Sequence, residues 1–394
     1  MLKAERGLFD LRQGRPLFVV APDGSPRTGA GVVLAPVEAL QPETLDRLRE
    51  LGTGPLTLVV TRHRARAMGL VRPGGNGDKP PLLPVGGNGR PTAMGVHLNG
   101  EQDPESILRL ASAAQPATTA HTHDGVRPAT RAEEGGLTLA RLGRLLPAMV
   151  AVEADPARSD RLRSLLARGT LLEVPVEEIE ALGAASQLEV TQVSEASVPL
   201  EKMENTRFML FRETHGFFEH LAVLIGDREA WPDPVPVRLH SACLTGDLFG
   251  SLRCDCGEQL QASLRIMAAQ GGGVLLYLEQ EGRGIGLGNK LRAYRLQEEG
   301  LDTVDADGTL GFGADERRYD SAVEILHRLG IERLRLLTNN PDKVRAVEEG
   351  GIEVVDRQPL HGTLNRHNLP YVRAKVRRSG HWLQDMLSGS LPSD

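Results

Sequence analysis

The chain has 394 residues, a formal net charge of −6, 40% apolar and 25% charged residues, and only 4% aromatic ones, which describes an ordinary globular protein of two or three domains. The acidic balance gives no basic field to draw it to nucleic acid or an anionic membrane, and no apolar run approaches the roughly 20 residues that span a bilayer. The opening MLKAERGLFDLRQGR lacks the apolar core of a signal peptide, and the cysteines are few, so the expectation is a cytoplasmic protein with a small-molecule partner.

Hydrophobic patterning predicts strands over 16–20 and 31–34, a helix over 44–51 stopped by Gly52, and a strand over 56–60. The segment 71–91, VRPGGNGDKPPLLPVGGNGRP, is too rich in Gly and Pro for regular structure and is expected to be a long surface loop. A strand over 94–98, helices over 104–113 and 137–146, a buried strand over 148–152 and a helix opening at Asp155-Pro156 follow. Strands alternating with helices to about residue 183 make one α/β or α+β domain, and 183–199 is the expected boundary. The second half predicts strands over 207–212, 219–225 and 235–240, a helix over 258–269, and a strand over 274–278. After them come a glycine-rich turn, helices over 289–299 and 321–329, a strand over 334–337 and a helix over 342–349.

All three cysteines, Cys243, Cys254 and Cys256, fall in the stretch RLHSACLTGDLFGSLRCDCGE. Buried structural cysteines scatter, so clustering points to a shared ligand. Thiolates select zinc or iron–sulfur, and three of them leave a tetrahedral zinc one open position, as a hydrolytic site requires. The same spacing also suits a structural Cys3His site closed by His240 or His215. A disulfide fits less well, because Cys254 and Cys256 are too close for an easy bridge and a cysteine would be left over.

Three further stretches suit phosphate. The turn EQEGRGIGLGNK follows a strand and opens a helix at Lys290, the build of an anion cradle, though it matches neither the Rossmann nor the Walker pattern and is often only a tight connection. Asp315-Glu316-Arg317-Arg318 offers an acid and guanidinium groups, or is a solvated charge run. Thr338-Asn339-Asn340-Pro341-Asp342-Lys343 ends a strand before a helix, where α/β sheets place ligands, or is an N-capped turn. Together they imply a zinc hydrolase acting on a phosphorylated compound.

Residues 195–388 resemble GTP cyclohydrolase II through HSACLTGDLFGSLRCDCG, LLYLEQEGRGIGLGNKLRAY, GFGADERRYD and LRLLTNNPDK. The resemblance implies opening of the guanine imidazole ring of GTP with release of formate and pyrophosphate, the first step of riboflavin synthesis. It implies one zinc per subunit on Cys243, Cys254 and Cys256, magnesium with the triphosphate, and a homodimer. By position it implies that Arg238, His240, Ser241, Gln259, Glu281, Gly282, Arg283, Thr303, Thr338 and Lys343 hold GTP. Tyr294 matches an active-site tyrosine, Asp315 a proton acceptor, and Arg317 a nucleophile on the α-phosphate, for which an electrostatic clamp is the physically easier role. The family usually has glutamate where this chain has Ala242.

The first half, over 1–190, is similar to a 3,4-dihydroxy-2-butanone 4-phosphate synthase that has lost its chemistry. The resemblance is carried by LRQGRPLFVV, LRELGTGPLTLVV and LTLARLGRLLPAMVAVE. Where that family binds magnesium through an acidic run, APDGSPRTGA holds only Asp23, and no histidine stands near Arg131-Ala132-Glu133. His121 and His123 are more often solvated loop residues than ligands. The expectation is an α+β protein of two domains, each a mixed sheet with packed helices: an inactive synthase-like domain and an active cyclohydrolase. A bifunctional enzyme and a non-catalytic GTP-binding protein are the alternatives.

Overall fold

The computed structural model describes residues 2–21, 31–70, 92–114, 125–154, 159–184, 189–201, 203–214, 217–384 and 387. The loop expected over 71–91, the helix start at Asp155-Pro156, and Asp23, His121, His123 and His215 lie outside them. The fold is α+β. It divides into two compact units, residues 1–185 with 288–316 and residues 186–287 with 317–394, each built on a seven-stranded mixed sheet. No helix among the described residues is long and apolar enough to cross a membrane.

In the first unit the strands are β1 (Leu17–Val20), β2 (Gly31–Pro36), β3 (Thr57–Thr61), β4 (Ala93–His97), β5 (Val126–Pro128), β6 (Ala148–Ala154) and β7 (Leu172–Pro175). Their order is β5-β4-β3-β6-β2-β1-β7, antiparallel throughout except for the β1–β7 pair. β2 and β3 are buried almost along their whole length, which explains why their sequences are continuous apolar runs. Helix Arg131–Leu142 begins ahead of the expected position 137. Thr130 and Glu133 form a capping box that starts it in polar sequence, where apolar periodicity gives no signal.

The segment 288–316 belongs to this unit. Arg64, 1% exposed, donates to the carbonyls of Leu110 at 2.6 Å, Ala113 at 2.8 Å and Thr309 at 3.0 Å. Thr61 Oγ1 donates to Gly311 O at 2.6 Å, Asn289 Nδ2 to Arg144 O at 3.0 Å, and Arg292 to Glu38. Arg141 pairs with Glu316 at 2.5 Å, and Glu316 also accepts from Gly313 N at 2.6 Å, so Asp315 lies on a turn braced at its next residue.

In the second unit the strands are β8 (Val190–Ser197), β9 (Thr206–Glu213), β10 (Glu219–Ile225), β11 (Val235–Ser241), β12 (Gly273–Leu278), β13 (Arg333–Leu337) and β14 (Glu353–Gln358). They run in the order β14-β13-β11-β12-β10-β9-β8. The four at one end are parallel and the rest antiparallel. Val237, Leu239, Val274, Leu276 and Leu278 face helix Asp320–Arg328 through Ala322, Ile325 and Leu326. Leu275 and Val223 face helix Cys256–Ala269 through Leu264 and Met267. Strand alternation therefore turns Arg238 and His240, paired in register with Leu275 and Tyr277, toward the helix that Cys256 opens.

Candidate active site

β11 ends at Ser241, and the next residue still belongs to the sheet, Ala242 N donating to Leu278 O at 2.8 Å. Cys243 follows as the N-cap residue of the short helix Leu244–Asp247, and Cys256 is the first residue of helix Cys256–Ala269. The three Sγ atoms lie within 4.8 Å of one another, and Cys243 Sγ is 3.6 Å from Cys254 Sγ. A tetrahedral zinc with bonds of about 2.3 Å needs sulfurs about 3.8 Å apart, so the donor set fits that ion. Among the described residues the ligand group consists of these cysteines alone. His240 is turned instead to Asp247, at 3.1 Å through Nε2.

Chemistry and space support the same fit. Contact with Cys243 and burial push the Cys254 thiol up to about 11, and the neighbouring thiols raise Cys256 as well. Thiolates this close need a cation between them. A Cβ at Gly246 would stand 2.7 Å from Cys254 Sγ and 3.1 Å from Cys243 Sγ, so only glycine leaves the cluster room.

Acidic side chains hold this loop from beneath. Asp247 accepts from Cys243 N and from Tyr277 Oη, both at 2.9 Å, as well as facing His240. Burial keeps His240 below the usual histidine range in spite of that carboxylate, so the ring is neutral at pH 7. Asp255, between two of the cysteines, takes Lys375 Nζ at 2.9 Å and Gln259 Nε2 at 2.5 Å. Gln259 passes the chain of bonds to Arg238 Nη2 at 2.8 Å, and Arg238 Nη1 reaches Leu337 O at 2.8 Å. Glu281 Oε2 accepts from Leu244 N at 2.6 Å, tying the glycine turn to the cysteine loop.

The parallel strands β13, β11 and β12 end side by side, the place where open α/β sheets bind ligands. Several buried polar atoms there have no hydrogen-bond partner among the described residues: Arg238 Nε, His240 Nδ1, Ser241 Oγ and Asn340 Nδ2. Buried polar groups are normally satisfied, so such a group of exceptions asks for a ligand. Thr338 Oγ1 accepts from Asn340 N at 3.0 Å, Asn340 caps helix Pro341–Glu349, and Lys343 Nζ reaches Leu239 O at 2.6 Å. In the turn after β12, Gly282, Arg283, Gly284 and Gly286 all have positive φ, at 64°, 60°, 91° and 86°. Arg283 holds that conformation against the cost of its Cβ. A cavity of about 600 Å³ opens beside Cys254 and Gly246, lined also by Glu258, Arg265, His361 and Asn365, on the side of the cluster away from the strand-end residues, none of which lines it.

Thus the second unit carries the three cysteines with Arg238, His240, Ser241, Gln259, Glu281, Gly282, Arg283, Arg317, Thr338 and Lys343. Tyr294 in helix Leu287–Glu298, Thr303 at the start of helix Thr303–Thr309, and Asp315 lie in the first unit. Sequence reasoning passed over Asp247, Asp255, Tyr277 and Lys375. Only Asp255, lying between two cysteines, carried a signal that could have found it.

The family model described as GTP cyclohydrolase II matches residues 191–359, the stretch that holds the cysteine cluster and the strand-end floor. A GTP cyclohydrolase-2 of Azospirillum brasilense is 41% identical over 97% of this chain and 94% of its own length. The chain belongs to the GTP cyclohydrolase II family. It is therefore a hydrolase of that type. A GTP cyclohydrolase-2 of Xylella fastidiosa (strain 9a5c) is 37% identical over 96% of this chain and 87% of its own. The chain is also 33% identical, over 96% of its length and 97% of the relative's, to the riboflavin biosynthesis protein RibBA of Phocaeicola vulgatus.

Proposed function

We propose that the chain opens the imidazole ring of GTP, releasing formate and pyrophosphate and leaving a diaminopyrimidinone ribosylamine phosphate, the first step of riboflavin synthesis. The observation that carries this reading is the three-thiol cluster together with buried polar atoms that have no partner among the described residues, Arg238 Nε, His240 Nδ1, Ser241 Oγ and Asn340 Nδ2, toward the ends of parallel strands. The cysteines hold one zinc, which when bound supplies Lewis acidity and activates water. Arg238, His240, Ser241, Thr338 and Lys343 form the floor of the nucleotide site, and Gln259 and Glu281 hold that floor and the cysteine loop in register. Gly282 and Arg283 turn the glycine loop toward the phosphates. Arg317 clamps the α-phosphate, magnesium accompanies the triphosphate, and Asp315, Tyr294 and Thr303 act in the roles the family gives those positions. The working form in this reading is a cytoplasmic homodimer.

The first half, in the same reading, keeps a synthase-like fold without its chemistry. Near the position where a synthase needs histidine, Glu133 is engaged structurally, taking both Arg127 guanidinium nitrogens at 2.7 Å and Thr130 N at 2.7 Å. No consumption of ribulose 5-phosphate is expected.

The deciding experiment measures formate and pyrophosphate release from GTP with magnesium, alongside zinc content, for wild type and Cys256→Ser. Wild type should release both products, and the variant should lose zinc and activity together. Zinc and GTP binding with no formate would make the chain a binding module.

A further inference from the structure

Helix Leu369–Ser379 and the residues after it lie beyond the stretch matched to the family, yet they are tied to the site at several points. Lys375 reaches Asp255 between the cysteines. Tyr371 lies between Lys375, 4.3 Å from its ring centroid, and Arg283 of the glycine turn at 5.6 Å. Trp382 N donates to Asn339 O at 3.0 Å, at the end of β13, and Arg357 lies 4.7 Å over the Trp382 ring. Gly380, at φ 64°, ends the helix in a left-handed turn, and His381 N bonds back to Lys375 O at 3.2 Å. That turn carries the next side chain inward.

His381 is 7% exposed, and its Nδ1 has no hydrogen-bond partner among the described residues. The charges that act on it most strongly are cations, Lys375 of the preceding helix, Arg317 ahead of helix Asp320–Arg328, Arg283 of the glycine turn and Lys343 of helix Pro341–Glu349, and Asp255 joins them through Lys375 at 2.9 Å. Two of these, Arg317 and Lys343, also lie over the Tyr319 ring, at 5.9 Å and 5.8 Å. Burial and these charges push the imidazole down to about 3, so it is neutral, with one N–H to give. A buried, unpartnered ring nitrogen close to several cations suits a multiply charged anion, toward which Nδ1 would carry the N–H.

We propose that residues 369–383 form a wall of the substrate site and that His381 donates from Nδ1 to the phosphate chain of the nucleotide. This rests on the reading that the site takes GTP. Lys375 and Trp382 are the positioning residues that hold His381 there.

The test uses the full-length, zinc-loaded chain, with inorganic pyrophosphate titrated calorimetrically, GTP turnover measured, and guanosine as a competitor that lacks phosphate. His381→Ala should weaken pyrophosphate binding and raise KM for GTP by about tenfold, with zinc content, kcat and guanosine inhibition near wild type. His381→Asn, whose amide nitrogen overlays Nδ1, should recover most of the loss. Pyrophosphate binding that is absent in wild type or unchanged in His381→Ala overturns the proposal, as does an equal loss for guanosine or no recovery in His381→Asn. A wild type that binds pyrophosphate through His381 but releases no formate would keep this inference and refute the cyclohydrolase reaction.

Discussion

Gly246→Ala would put a methyl carbon 2.7 Å from Cys254 Sγ. The expected outcome is zinc affinity lower by about ten- to a hundredfold, read by competition with a chromogenic chelator, in a chain whose far-ultraviolet circular dichroism is unchanged. His381 makes a second residue-scale prediction. Its folded-state pKa, about 3, lies below the unfolded value of 6.5. As pH falls through 6.5 the unfolded chain takes up a proton that the folded one refuses, so stability present at neutral pH is lost on acidification. Between pH 7.5 and 5.5 that loss is about 1.4 kcal/mol. Urea titrations at the two pH values should show a difference smaller by that amount in His381→Asn, and an identical difference in both proteins would refute the assignment.

At the scale of elements, Arg64 shows how much of the first unit hangs on one side chain. Arg64→Met would leave the carbonyls of Leu110, Ala113 and Thr309 unsatisfied, costing about 3 kcal/mol or roughly 6–12 °C in the melting midpoint. Arg64→Lys should recover little, since one ammonium cannot span what a guanidinium fork reaches. Sequence pattern made the central strands legible, because both faces of β2, β3 and β12 are packed and their residues are apolar in runs, while β11 alternates Val237 and Leu239 with Arg238 and His240. It did not disclose β8, where only Val190 is buried and the remaining residues are exposed. An edge strand is held by backbone bonds to β9, which leave no mark on side-chain choice. β14 was missed for the same reason. Helix Leu369–Ser379 is not predicted from the sequence, since nothing in its run of basic residues marks Lys375 as the one turned inward to Asp255. The cysteines were legible because no other cysteine competes with them. Asp247 and Tyr277 were not, since an acid and a tyrosine become a support for His240 only once β11 and β12 are in register.

At the scale of the molecule, the first unit is discontinuous in sequence. A chain starting at Ser186 would keep the segment 288–316 but lose its partners. Ala306, Leu310 and Phe312, none more than 1% exposed in the whole chain, would then meet water. That fragment should elute as soluble aggregate in size-exclusion chromatography and show little cyclohydrolase activity. A monodisperse, fully active fragment would show that the first half is dispensable.

The same discontinuity sets an order on synthesis. Residues 1–185 leave the ribosome long before residues 288–316 exist, and at about 5–20 residues per second the Arg64 guanidinium waits roughly 10–50 s for the Thr309 carbonyl. The amino-terminal half therefore passes through an unfinished state on every round of translation. Nascent chains stalled short of residue 288 should be cut by protease within that half far faster than chains stalled well past residue 316.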